Sequence, residues 1–235
     1  MPRFLYLNQW CAKLMVHSEI LKATSLLFFC TIYLPSCNIS EPAEFYSPTA
    51  GFLTVILKSD NTDTNINILG TDYGISEQDS MDLLVFQGKV FDADSNFAIL
   101  FHNIKSWRQE EFVYNILDWN SNEGYAEFKI FESHVPPGTY DMLTLGLIAS
   151  VIEVGPYRIP ISLPPDTEGV ITLPTGFIID EKSVTKITLS LKPFQSMSRY
   201  RDDYVFDRQI VIESIEYLGQ DAYEQIIIDS DSLDV

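Results

Sequence analysis

Apolar and polar residues alternate in short runs along much of the chain after residue 50, and turn-forming residues lie between the runs. The runs are rich in Val, Ile, Tyr, Phe and Thr, which are the residues that favour strands. We expect strands at residues 51–58, 81–91, 111–117, 125–131, 139–148, 151–154, 157–161, 169–173, 184–191 and 204–218. The pattern therefore predicts an all-β protein.

The alternation within single runs predicts which side chains face the core. In residues 184–191, one strand face carries Thr185, Ile187, Leu189 and Leu191. In residues 125–131, the odd-numbered side chains fall on one face and the even-numbered ones on the other. Such alternation is typical of sheets with one solvent-facing side, and it favours an antiparallel β-sandwich of the Greek-key kind.

The segments between the runs predict the connections. Gly155-Pro156 indicates a short turn, so residues 151–154 and 157–161 are expected to form a hairpin. Residues 59–80 are polar and predict one long loop. The acidic tail, residues 219–235, is expected to add an edge strand through Ile226–Ile228 or to remain frayed. We see no amphipathic helix of about 12 residues and no internal repeat, so residues 51–218 are predicted to form one domain.

The chain begins with a segment that has the character of a leader. Residues 20–34 contain an apolar run of about a dozen residues, which is shorter than the roughly 20 needed to cross a bilayer. That length fits the apolar region of a signal peptide. A start at Met15 in place of Met1 would give a leader of conventional length.

Leu34, Ser36 and Cys37 close this segment and resemble a bacterial lipobox, although Pro35 departs from the usual small residue. The resemblance implies that residues 1–36 are a lipoprotein signal peptide, removed when Cys37 receives a diacylglyceryl thioether. Residues 37–50 would then form a tether, and more than one acyl chain would hold the protein stably on a membrane. An ordinary signal peptide with an incidental cysteine and a short signal anchor remain alternatives.

Charge and cysteine content narrow the choice of partners. The net charge is −18, and removal of residues 1–36 would take away three of the 15 basic residues and one of the 33 acidic ones, giving −20. This charge disfavours nucleic acid, and it disfavours bare adhesion to anionic lipid. The three cysteines are Cys11, Cys30 and Cys37, so no disulfide framework or thiolate metal site is expected after residue 37.

One short motif points to calcium. Asp92, Asp94 and Asn96 offer oxygen ligands at alternate positions, as at the start of a calcium loop. The rest of the EF-hand pattern is missing, because Phe97 stands where glycine is required and Asn103 where a bidentate Glu belongs. A solvated turn between two strands is the alternative. Four further acids of residues 59–80 could contribute ligands to the same ion, namely Asp60, Asp63, Asp72 and Asp79.

Catalytic motifs are missing from the sequence. Residues 38–235 contain two histidines, His102 and His134, and neither has a second ligand at metal spacing. There is no G-x-S-x-G, H-E-x-x-H or phosphate-binding glycine loop. We therefore predict a non-catalytic protein without a cofactor, apart from the calcium hypothesis. A hydrolase with a polar cleft around one of these histidines remains an alternative.

Aromatic residues are concentrated in one part of the chain and offer a recognition hypothesis. They are Trp107, Tyr114, Trp119 and Tyr125. Exposed aromatic rings on a β surface stack on sugars or anchor a partner protein. The alternative is that these four side chains fill the core of the sandwich.

The stretch VPPGTYDMLTLGLI, residues 135–148, resembles part of the transthyretin-like (prealbumin-like) domain of bacterial surface lipoproteins. Residues 157–160, 169–173 and 184–191 follow in the order of that family. The sequence departs from the family at residues 189–193 and at Asp207-Arg208. The family has no established activity, so the resemblance implies a β-sandwich and no catalytic residues.

The architecture and the leader also resemble those of fimbrial and anchor subunits of some Gram-negative bacteria. We therefore predict a lipid-anchored protein of the bacterial cell envelope, periplasmic or surface-exposed. It would be held to a membrane through Cys37 and would bind a protein or glycan ligand. The alternative is an adhesin or fimbria-related subunit that assembles through its edge strands by β-augmentation.

Overall fold

The computed structural model describes residues 50–201 and 203–232. Most of these residues lie in strands, and the strands form two large sheets and two small hairpins. The prediction of an all-β sandwich is therefore confirmed. The predicted signal peptide and Cys37 lie outside the described residues, as does the predicted tether up to residue 49.

The strands are numbered in chain order. They are β1 (Gly51–Ser59), β2 (Asn65–Ile68), β3 (Thr71–Gly74), β4 (Ser80–Phe91), β5 (Phe97–Ile99), β6 (Phe112–Asn115), β7 (Trp119–Asn120), β8 (Gly124–Tyr125), β9 (Glu127–Val135), β10 (Gly138–Val154), β11 (Tyr157–Ser162), β12 (Val170–Ile179), β13 (Val184–Leu191), β14 (Met197–Tyr200), β15 (Asp203–Phe206) and β16 (Ile210–Leu218). One helix, α1, spans Gln220–Ser232.

The smaller of the two large sheets has four strands in the order β16-β13-β1-β9. Its central pair, β1 and β13, is parallel, and both outer pairings are antiparallel. In β13 the predicted inward face is confirmed, since all four of its side chains are buried. On the opposite face of β13, Val184, Thr188 and Ser190 are also buried and Lys186 is half-buried, so this strand does not have the solvent-facing side that was expected.

The larger sheet has eight strands, and β10 and β4 form its antiparallel centre. The 17-residue strand β10 pairs first with β12 and then with β11 along one edge. Strand β4 pairs with β6 and β5 along its other edge. Strands β15 and β14 extend the sheet beyond β11. The predicted hairpin at Gly155-Pro156 is confirmed by the pairing of Val154 with Tyr157.

One hydrophobic core joins the two large sheets. From the smaller sheet it takes Leu53, Val55 and Leu57 of β1, together with the inward residues of β13. From the larger sheet it takes the inward residues of β4 and β10, which include Leu83 and Leu145. All of these side chains are almost completely buried, and each buried aliphatic side chain contributes about 1.5–3 kcal/mol.

Two sequence-based details were wrong because β-bulges and a bend interrupt the alternation. In β9, Ile130 is an extra residue opposite the step from Val55 to Ile56, so Ile130 and its neighbour Phe131 are both buried. The single strand predicted at 204–218 is instead two strands, β15 in the larger sheet and β16 in the smaller one. The chain crosses between the sheets at Arg208, which has a left-handed backbone (φ +52°).

Arg208 also stabilises this crossing through its side chain. Its guanidinium donates hydrogen bonds to the carbonyl oxygens of Glu168 (2.7 Å) and Gly169 (3.1 Å), in the connection that leads into β12. Burial lowers the pKa of the guanidinium. The bonds explain how a cation fits at this place, because the carbonyl dipoles replace the water that the group loses.

Two further segments differ from the prediction. Residues 59–80 are not one loop, because they contain the antiparallel hairpin β2–β3. The acidic tail forms the helix α1, not an edge strand, although no such helix was expected from the sequence. Among the residues that the structure describes, no helix combines the length and apolar character needed to span a membrane.

Candidate functional site

The predicted calcium motif forms the turn between β4 and β5. The Asp92 carboxylate accepts hydrogen bonds from the backbone N–H of Asp94 and of Asn96, each at 2.9 Å, and from the Asn96 side-chain amide, also at 2.9 Å. The bonds from Asn96 lower the pKa of Asp92. The motif therefore has a structural task in the turn, and its calcium binding stays a prediction.

The acids of residues 59–80 are dispersed, and each accepts hydrogen bonds from a different part of the chain. Asp60 accepts from Thr62, and Asp72 accepts from Asn67 within the β2–β3 hairpin. Asp79 is buried and accepts from the N–H of Gly155 at 2.9 Å. In the described part of the chain, no group of three or more His, Cys, Asp or Glu side chains is arranged to hold a metal ion.

Asp63 is the most deeply engaged of these carboxylates. It is 3% exposed, and its Oδ2 accepts from the backbone N–H groups of Phe194 (2.7 Å) and Gln195 (3.1 Å). Its backbone carbonyl accepts from the Tyr125 hydroxyl at 2.7 Å. Burial and the nearby Asp63 charge raise the pKa of Tyr125. Asp63 thereby joins the β1–β2 connection to the turn after β13.

The four predicted recognition aromatics do not form one surface. Trp107 is 83% exposed in the loop between β5 and β6, with the Arg108 guanidinium 5.5 Å from its ring centroid. Trp119 and Tyr125 pack edge to face at 4.8 Å, and Tyr125 is buried. Tyr114 is half-buried, which raises the pKa of its hydroxyl to about 12. The predicted set of recognition aromatics therefore combines one exposed residue with three residues that pack against other parts of the protein.

The two histidines occupy different packing sites. His102 stacks on Phe112 at 3.4 Å, and its Nδ1 lies 2.9 Å from the Tyr114 hydroxyl and 3.3 Å from the carbonyl oxygen of Ile130. His134 lies in β9, where its ring packs edge to face against Phe52 at 5.3 Å. Burial lowers the pKa of His134. The contacts around each ring are mainly aromatic, and the hydrolase alternative stays a prediction.

The larger sheet carries an exposed apolar surface on the side away from the core, and we call it the apolar face. Strand pairing arranges it in four rows. The rows are Val113–Leu84–Ile148, Phe86–Gly146–Val170, Ile99–Lys89–Thr144–Thr172 and Phe97–Phe91–Met142–Pro174. Val113 is 60% exposed and Phe97 is 55% exposed. Such rows of large apolar side chains in contact with water mark an interaction surface more often than scattered ones do.

Charge distinguishes the apolar face from the rest of the molecule. The chain has 33 Asp and Glu residues, yet Lys89 is the one charged side chain among the positions of the four rows. Its ammonium group lies 5.0 Å from the centroid of the exposed Phe97 ring. The Phe86 ring lies over Gly146, where an added Cβ would come within 2.5 Å of ring atoms. The Phe86 ring therefore occupies the space that a side chain at Gly146 would need.

A second candidate site is a cavity of about 530 Å³ that two hairpins line, β2–β3 and β14–β15. Its wall includes Leu69, which is 73% exposed and has a left-handed backbone (φ +52°) in the two-residue turn of the β2–β3 hairpin. The volume falls within the range of ligand pockets. The Asn67 side-chain amide in this wall is engaged by Asp72 and by the N–H of Gly70, and the opposite hairpin contributes Arg199 and Tyr204.

The outer strands of the smaller sheet each contain a β-bulge and exposed charges. In β9 the bulge lies at Ile130, between the exposed residues Glu127 and Lys129 and the following Glu132. In β16 the bulge lies at Glu213, which forms an ion pair with Lys58 at 3.1 Å. Bulges and charges on an edge strand hinder the pairing of another strand.

Comparisons with family models, with curated proteins and with solved structures found no match to this chain.

Proposed function

We propose that this chain is a lipid-anchored protein of the bacterial cell envelope whose β-sandwich is a non-catalytic module for binding another protein. The observation that carries the proposal is the apolar face, an exposed surface whose four rows contain no carboxylate, on a chain of net charge −18. The proposed localisation rests on the predicted signal peptide and on the lipobox-like residues Leu34, Ser36 and Cys37. The family we propose is the transthyretin-like domain of surface lipoproteins.

The shape and charge of the apolar face favour a protein ligand. Five strands contribute to it, so it is a broad sheet surface, whereas small ligands are enclosed in concave pockets. Exposed Val113, Ile99 and Phe97 can be buried only by a surface that is itself apolar. We therefore rank a protein ligand above a glycan, which the exposed Trp107 alone would favour.

Assembly through edge strands is the second candidate function, and we rank it lower. An adhesin or fimbrial subunit that binds by β-augmentation needs an edge strand that is free of bulges and charges. Both edges of the smaller sheet have a bulge, at Ile130 and at Glu213. At the two ends of the larger sheet, β14 is four residues long and includes Arg199, and β5 is three residues long.

Site-specific photocrosslinking in intact cells tests the proposed binding surface. A photoreactive amino acid replaces Val113 on the apolar face or, as the matched control, Glu216, an exposed residue of the smaller sheet. We expect a discrete crosslinked product from position 113 and none from position 216. Equal products from both positions, or none from position 113, would contradict the proposal.

A further inference from the structure

We infer that the apolar face is a contact surface between two copies of this chain. This inference rests on the proposed function, which it deepens by naming the partner. It follows from the order of charged and apolar residues along β4, the strand in the middle of the face. Asp82 precedes the apolar pair Leu84 and Phe86, and Lys89 follows that pair.

In β4, the two charged and the two apolar side chains just named all point away from the core. Asp82 is exposed and lies between the fully buried Met81 and Leu83. The register shift opposite Leu145 inserts one extra residue after Phe86, so Lys89 returns to the same side, where it contacts Phe97. Strand β4 therefore presents a carboxylate at one end of its apolar segment and an ammonium group at the other.

The order of charges along β4 is self-complementary when the β4 strand of a second copy runs in the opposite direction. A two-fold axis that crosses β4 between Leu84 and Phe86, in the plane of the contact and perpendicular to the strands, reverses the strand direction of the second copy. Asp82 of each copy then lies opposite Lys89 of the other, so the contact contains the same ion pair twice. A parallel arrangement would place like charges together and would be disfavoured.

The same axis matches the two apolar rows nearest to it. It places the row of Leu84 and Ile148 against the row of Phe86 and Gly146 of the second copy. The side chain of Ile148 then lies against the Phe86 ring of the second copy, which covers Gly146. Contact between large apolar side chains on two facing sheets is the packing that a sheet-to-sheet contact requires.

The size of the face indicates a reversible dimer. On this axis the matched part of the sheet runs from the row of Asp82 to the row of Lys89, and four strands at about 4.8 Å and four rows at about 6.7 Å give an area of roughly 500 Å². This area is comparable to the largest apolar patch of a typical monomer, a kind of patch that is often functional, and it is below the roughly 800 Å² per partner of a stable complex. We therefore expect a dissociation constant on the order of micromolar, and a lipid anchor would favour pairing by confining both copies to one membrane.

Sedimentation velocity of the membrane-extracted protein in density-matched detergent tests the inference. The wild-type protein is expected to change from monomer to dimer as its concentration rises through the micromolar range. Asp82→Lys and Lys89→Asp are each expected to weaken the dimer at least 10-fold, because each places like charges together. Glu216→Lys, which makes the charge change of Asp82→Lys on the other sheet, should leave the dimer intact.

Mixing the two reversed variants gives the decisive result. Copies with Asp82→Lys pair with copies that carry Lys89→Asp through two restored ion pairs, so the mixture should dimerise although each variant alone does not. A misfolded variant could not be rescued in this way. A wild-type monomer at every concentration, or a mixture that stays monomeric, would overturn the inference. Either result leaves the proposed function intact if position 113 crosslinks to a different protein.

Discussion

Removing the Asp63 carboxylate is expected to destabilise the fold more than any other single change to a charged residue that we consider. Asp63 is almost fully buried and accepts from two backbone N–H groups, those of Phe194 and Gln195. Phe194 is buried as well, so water cannot replace the lost acceptor at its N–H. The substitution Asp63→Ala therefore leaves at least one buried donor unsatisfied.

The magnitude follows from those two bonds. A hydrogen bond to a charged acceptor contributes about 1.5–3 kcal/mol, so Asp63→Ala should lower the free energy of unfolding by about 3–5 kcal/mol. Asp63→Asn keeps an acceptor oxygen but loses the charge, so the expected loss is about 1–2 kcal/mol. For a chain of this length, the larger value corresponds to a fall in Tm of about 10 °C.

Urea unfolding, followed by tryptophan fluorescence, measures both losses against a matched control. Asp72→Ala removes an exposed carboxylate of the β2–β3 hairpin, and its effect should stay within about 0.5 kcal/mol. If Asp63→Ala were no more destabilising than Asp72→Ala, the turn after β13 would not depend on Asp63. The reasoning about buried carboxylates would then be wrong.

Three further predictions concern the other candidate residues. Burial lowers the pKa of His134, so the contribution of its neutral ring to stability is present above pH 6.5 and is lost as the pH falls toward the lowered pKa. The fall in Tm between pH 7 and pH 5 should therefore be smaller in His134→Gln than in the wild type. An equal fall in both would contradict this reasoning. Asp92→Ala should lower Tm in EDTA because the turn loses its acceptor; a calcium-dependent rise in Tm that only the wild type shows would support the calcium hypothesis. Trp107→Ala should change Tm by less than about 1 °C, since the ring is exposed, and a large fall would show that the loop packs more tightly than described.

The sequence predicted the class of fold because strand runs and turns are local signals. Residues 184–191 alternate over a full strand, and their inward side chains could be named in advance. The hairpin at Gly155-Pro156 was predictable for the same reason, since two residues decide the turn. What these signals describe is a single strand and its nearest neighbour.

The bulges and the crossing between sheets could not be predicted, because they depend on distant parts of the chain. Ile130 is an extra residue only in relation to β1, which lies more than 70 residues earlier. The break near Arg208 is stabilised by carbonyl groups of Glu168 and Gly169. Neither partner can be identified from a local pattern, so residues 204–218 were interpreted as one strand.

The apolar face escaped prediction for a related reason. Val113, Leu84 and Ile148 belong to three separate strands and form a row only once the pairing of β6, β4 and β10 is known. The sequence analysis instead selected aromatic residues that are close along the chain, and three of those four pack inside or against the core. Proximity in sequence indicated a cluster, whereas the sheet determined the surface.

The intact mass of the membrane-extracted protein tests the proposed envelope address most directly, because the interaction module acts on a membrane only if the chain is anchored there. We expect a mature chain that begins at Cys37 and carries the mass of a diacylglyceryl group, with or without a third acyl chain. Cys37→Ala should abolish both the acyl mass and the processing at this position. A mature wild-type protein without acyl mass at Cys37 would contradict the account.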